Sequence, residues 1–220
     1  MKTRVLVPLT LLVLSGAAIA GPPLICHPFA IGDAPSLPWV PDKNSWNSPD
    51  PKYDTSKLAD DTLRLLDSGP ALLPRMETIR RAVVYSTRNA AAGQELSNRL
   101  LARALASEVK GQNNSLALFD AGYFIESMKQ MSPISKSTAF SAIDGYDLAK
   151  RSLPGLQDKP AAEYALGLML AGTSWPNDHI RRAAAAAQPG SLLAQNLLQH
   201  YQNKSLAEVK RTLALNSPSR

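Results

Sequence analysis

The residues best able to do chemistry stand together near the start of the chain: Cys26, His27 and, after a short proline-containing stretch, Asp33. A thiol beside an imidazole can be activated as a thiolate, and sulfur, imidazole nitrogen and carboxylate are all metal ligands. Two features weigh against such chemistry. Adjacent side chains on an extended chain point to opposite sides, so Cys26 and His27 do not naturally share one metal or one proton. The chain has 1 cysteine, which leaves no partner for an internal disulfide and no Cys-x-x-Cys-His run for haem attachment. A metal- or thiol-dependent activity at Cys26, His27 and Asp33 is therefore the alternative reading; a thiol tucked against the protein body is the leading one. The other histidines, His179 and His200, lack the His-Glu-x-x-His spacing that brings two imidazoles to one helix face in zinc hydrolases.

Other catalytic patterns are incomplete. Glu126-Ser127 is similar to the Glu-Ser pair that lytic transglycosylases carry after a helix, where the glutamate is general acid and base. The companion Gly-Leu-Met-Gln is missing: Gly167-Leu168-Met169 ends in Leu170 and lies too far along. No serine sits in a Gly-x-Ser-x-Gly elbow, and neither a phosphate loop nor a dinucleotide fingerprint occurs. No cofactor is expected, and a non-catalytic role is favoured.

The elements that would position these groups begin with a segment the mature protein does not keep. Lys2 and Arg4 precede an apolar run from Val5 to Leu14, and Ala18-Ile19-Ala20 has the small-x-small pattern cut by signal peptidase. The run is shorter than the ~20 residues of a membrane span. Cleavage after Ala20 is expected to deliver a protein starting at Gly21 to the periplasm or the exterior of a bacterial cell. Its only membrane association is then the transient one of the signal peptide. Without Lys2 and Arg4 the formal charge falls from +6 to +4. The remaining basic residues, among them Arg75, Arg80, Arg81, Arg181, Arg182 and Lys210, are scattered as on solvated helix faces. With no nucleic acid in that compartment and no basic patch with interleaved aromatics, nucleic acid is excluded as a partner.

Of the 17 prolines, eight fall between Pro22 and Pro51. Proline fixes φ and removes a donor, so residues 21–54 are expected to be extended rather than helical. Leu24, Ile25, Phe29, Ile31, Leu37, Trp39 and Val40 are too many apolar residues for a solvated linker. This stretch is expected to lie on the helical body as a strap. From Asp54 onward the spacing of apolar residues is helical, and breakers at Gly69-Pro70, Gly111, Pro133, Gly155 to Pro160, Gly172 to Pro176 and Pro189-Gly190 divide it into short helices. The expected organisation is a signal peptide over 1–20, a Pro-rich strap over 21–54, a helical domain over 55–215 and a disordered tail over 216–220.

Three helical segments resemble one another: Ala117 to Phe124, Ala162 to Met169 and Ala194 to Tyr201. Each is followed by a second helix, and small residues at Gly122, Gly167 and Ala183 to Ala187 would let paired helices approach closely. On Leu166-Gly167, the aromatic at Tyr164 and the alanine-rich Ala183 to Ala187, the chain resembles the tetratricopeptide and Sel1-like repeat families. The resemblance implies an all-α fold of stacked antiparallel hairpins, a right-handed α-solenoid, with first-helix side chains lining a groove. By that resemblance Tyr123, Glu126, Tyr164, Gln195 and Gln199 would face the groove and meet a peptide or protein partner or an envelope component. The stretch from Cys26 to Trp39 also resembles the opening of exported bacterial proteins without an assigned function, which implies no mechanism.

Overall fold

A computed structural model describes residues 23–40, 46–109, 114–135, 140–201 and 204–215. The expected signal peptide (1–20) and tail (216–220) lie outside the described residues. Among the described residues the protein is all-α. Asp54 accepts a hydrogen bond from the amide of Ser56, opening a 3-10 turn over Thr55–Lys57 that leads into α1, Leu58–Asp67. Gly69, at φ 75°, ends α1 in the left-handed conformation glycine adopts most cheaply. There follow α2 (Leu72–Ser86), α3 (Ala90–Val109), α4 (Ser115–Ser135), α5 (Gly145–Ser152), α6 (Lys159–Met169), α7 (Asp178–Ala186), α8 (Leu192–Leu198) and α9 (Leu206–Leu215). Side-chain caps fix seven of these starts: Asn89, Asn114, Asp144, Asp158, Asn177, Ser191 and Ser205 each accept from the amide three residues on. The one β-type pairing among the described residues is an isolated bridge between Trp39 and Pro49.

The centre of the fold is α2, in contact with α1, α3, α4 and α6. Every residue from Leu72 to Ser86 except Arg81 is buried. This corrects the expectation that Arg75 and Arg80 sit on solvated faces: they are 3% and 0% exposed. Most of their guanidinium donors find acceptors inside the fold. Arg80 grips the carboxylate of Glu77 with Nε and Nη2, at 2.7 and 2.8 Å, and donates from Nη1 to the carbonyls of Ile25 and Trp46. Arg81 adds a third bond to Glu77 at 2.7 Å and reaches the carbonyl of Leu37. Burial pushes the Glu77 carboxyl up, but the charges and hydrogen bonds of Arg80 and Arg81, with the amide of Phe29, outweigh it and hold the group below the ordinary carboxylate range.

Those bonds also hold residues 23–40 against the helices. Leu24, Ile25, Phe29 and Leu37 belong to the same core as α2, and Trp39 lies under the guanidiniums of Arg80 and Arg81 at 4.9 and 5.6 Å. Tyr85 donates to the carbonyl of Pro38 and accepts from the amide of Asp50.

Antiparallel neighbours α4 and α5 approach so closely because two glycines face each other. A Cβ on Gly122 would fall 2.7 Å from the amide nitrogen of Ala149, and one on Gly145 would fall 2.6 Å from the carbonyl of Gly122. Helices α6 and α7 use the same device: a Cβ on Gly167 would meet Ile180 Cγ1 at 2.6 Å. The third pair is looser, with α9 resting on both α7 and α8.

Candidate functional site

The five residues expected to line a groove divide into three groups. Tyr123 and Tyr164 are 0% exposed, so neither can meet an external partner. Residues 118–125 of α4 are buried without a break, and Tyr123 stacks on Phe119 inside that core. Glu126 is half-buried, paired with Lys129 and bonded to the amide of Tyr146. Gln195 is exposed on α8 and Gln199 just past its end. The side of α4, α6 and α8 on which Tyr164 lies is occupied by the chain itself. Gln130 of α4 accepts from the amide of Leu24, Phe29 sets its ring against Tyr164 of α6, and Asn196 of α8 bonds both the amide and the carbonyl of Ala30. Asn196 went unrecognised in the sequence. A carboxamide at Asn196, four residues after Leu192 and so on the apolar face of Leu192-Leu193-Ala194-Gln195-Asn196-Leu197-Leu198, was the available signal.

The N-terminal candidates do not assemble. Asp33 is exposed on the turn after Gly32, Cys26 is half-buried, and no group of three or more His, Cys, Asp or Glu among the described residues could hold a metal ion. Burial pushes the Cys26 thiol up, with the charge of Arg80 opposing, so it is a poor thiolate. His27 instead sets its ring edge-on to His200 at 4.7 Å. Around His200 stand Tyr164 and Trp175, its Nε2 lying 2.8 Å from the Tyr164 hydroxyl. That hydroxyl also reaches the carbonyl of Asn196 at 3.1 Å. The arrangement is satisfied when His200 Nε2–H donates to Tyr164 and Tyr164 donates to Asn196, which neutral imidazole supplies without a second ring proton. Burial, with the nearby His27, pushes the His200 pKa down to about 3.

A second polar chain crosses α5, α6 and α7. His179 donates from Nδ1 to Glu163 at 2.5 Å and accepts the Tyr146 hydroxyl on Nε2 at 2.8 Å, while Arg182 holds the other oxygen of Glu163 at 2.9 Å. The geometry has the order nucleophile, base, orienting carboxylate. Burial pushes the Tyr146 phenol up and keeps its proton in place in the resting chain. The chain is a clamp on three helices.

An open surface lies between α7 and α9. A cleft of 460 Å³ is floored by Ala184, Ala185, Leu213 and Ala214 and edged by Arg181, Arg182 and Lys210, with no acidic residue in its lining. Arg181 and Arg182 answer Asp178 and Glu163 respectively. Lys210 bonds the carbonyls of Ala185 and Ala187 at 3.1 and 2.7 Å, and no carboxylate answers its charge in those contacts. No helix among the described residues is long and apolar enough to cross a membrane. No family model, curated protein or solved structure matches the chain.

Proposed function

We propose that the protein is an exported, non-catalytic helical-repeat scaffold that binds an acidic, partly apolar peptide segment of a protein partner in the cleft between α7 and α9. On this reading α4/α5, α6/α7 and α8/α9 are successive tetratricopeptide-like hairpins of a short right-handed solenoid. Contacts of α4 with α6, α6 with α8 and α7 with α9 support that order. The first-helix face is filled by residues 24–30 and by α2, so the partner surface moves to the second helices. The signal-like residues 1–20 would deliver the chain to the periplasm or beyond.

The observation that carries the reading is the lining of the cleft: an alanine and leucine floor with three cationic side chains and no carboxylate. Apolar side chains of a peptide would displace water from the floor, and its carboxylates would meet Lys210 and the half-exposed Arg182. The test is fluorescence anisotropy with the mature chain and two labelled peptides of equal length, one alternating Leu and Glu, the other Leu and Lys. The acidic peptide should bind about tenfold more tightly, Lys210→Glu should remove that preference, and Ala185→Trp should block the cleft. Equal binding of both peptides, or binding indifferent to Ala185→Trp, refutes the assignment.

A further inference from the structure

Where α1, α2, α3 and α4 meet, a separate cavity of 220 Å³ is built around charges. Its floor holds Arg75 and Asp120, 3% and 4% exposed, ion-paired at 2.5 Å through Nη1 and Oδ2. Arg75 Nη2 donates to the carbonyl of Leu66 at 2.7 Å. Asp120 Oδ1 and Arg75 Nε are buried with no hydrogen-bond partner. Buried polar atoms nearly always find partners, so an acceptor and a donor left unmet on one ion pair mark a place where something else completes them. Asp67 and Arg103 also line the cavity, bonded to each other at 2.8 and 2.9 Å and partly exposed to solvent. Leu66, Leu100 and Leu116 give it apolar wall, and Leu116 is 40% exposed.

Two carboxylates, two guanidiniums and three leucines form a lining of no net charge that offers both signs side by side. A simple anion would meet Asp120 and Asp67, and a simple cation would meet Arg75 and Arg103. A molecule carrying both charges a few bonds apart meets neither repulsion. We infer that this cavity binds a small zwitterion, a free α-amino acid with an aliphatic side chain. Its ammonium group sits with Asp120 and Asp67, its carboxylate with Arg75 and Arg103, and its side chain against Leu100 and Leu116. Burial pushes the Asp120 carboxyl up to about 6, with Arg75 offsetting part of the effect, as expected for a carboxylate short of donors. An ammonium supplies them. The exposed Asp67–Arg103 pair can open at little cost to share its charges with the ligand. This inference is independent of the peptide cleft between α7 and α9.

Isothermal titration of the mature chain with L-leucine tests it, against L-leucinamide, which lacks the carboxylate, and 4-methylpentanoate, which lacks the ammonium. L-Leucine should bind at least about tenfold more tightly than either analogue. Asp120→Asn should weaken it by a similar factor. Arg103→Gln, on a partly exposed side chain where folding is spared, should weaken it by about threefold or more. The inference is overturned if L-leucine gives no binding heat at about 10 mM, if an analogue with one charge matches it, or if Arg103→Gln leaves it unchanged.

Discussion

His200 gives the sharpest test of how the interior is put together. Its side chain lies 92% out of solvent contact, at 8% exposure, and hands a hydrogen bond to Tyr164 in a chain that works with neutral imidazole. Its pKa falls from an ordinary 6.5 to about 3 on folding. The unfolded chain therefore binds a proton at a pH where the folded chain does not, and stability must fall as pH drops through the window from 6.5 toward 3. Each unit inside that window costs about 1.4 kcal/mol, so moving from about pH 8 to about pH 5 costs about 2 kcal/mol through this residue alone. His200→Gln removes the titration and keeps the bond, since the glutamine amide can donate to Tyr164 from nearly the position of Nε2. Urea unfolding of both proteins at the two pH values isolates the effect, because the other titrating groups cancel in the difference. The wild type should lose about 2 kcal/mol more than the variant on acidification. Parallel losses within about 0.5 kcal/mol would show that burial does not hold His200 neutral in the folded chain, and the reasoning from its enclosure would be wrong.

Two further stability measurements probe the centre of the fold and its closest helix crossing. Glu77→Gln leaves the guanidiniums of Arg80 and Arg81 without their carboxylate inside the core and should cost about 3–5 kcal/mol in urea unfolding. Glu77 also titrates below its ordinary value, so its stabilising effect is complete above about pH 4.5 and drains away as the pH falls below it, and a loss under about 1 kcal/mol in the variant would refute the network. Gly122→Ala pushes a methyl group into the backbone of α5 and should cost about 1–3 kcal/mol despite alanine's better helix propensity. Gly172→Ala, where a Cβ meets nothing within 4 Å, should stay within about 0.5 kcal/mol of wild type; equal effects at the two sites would mean α4 and α5 do not cross at Gly122.

The helices were legible because their signals are local. Asp54, Asp144, Asp158, Asn177 and Ser191 each cap a helix within three residues, and the breakers Gly69-Pro70 and Pro189-Gly190 fall between α1 and α2 and between α7 and α8. Gly122 and Gly167 announced close helix approach for the same reason: a missing side chain at one position decides the contact. What escaped was long-range. Leu72 to Ser86 carries Arg75, Glu77, Arg80 and Arg81, a composition that reads as a wet face, yet α2 is the most enclosed helix of the fold. Nothing in its own residues says that the cover would be a segment some fifty positions earlier, whose carbonyls at Ile25 and Leu37 take up the charges.

The candidate groove failed by the same logic, and the failure is informative. Tyr164 sits where the repeat resemblance would put a peptide-facing aromatic, and a peptide does lie against it: the chain's own Phe29. Asn196 treats Ala30 as it would treat a bound backbone, one carboxamide satisfying an amide and a carbonyl at 2.9 Å each. Displacing that segment would expose Leu24, Ile25 and Leu37 and strip Arg80 and Arg81 of one carbonyl acceptor each, a cost no ordinary peptide contact repays. An external ligand would therefore have to meet the protein elsewhere. The two openings proposed above, the cationic cleft between α7 and α9 and the balanced cavity over Arg75 and Asp120, differ in charge and so would suit different chemical classes.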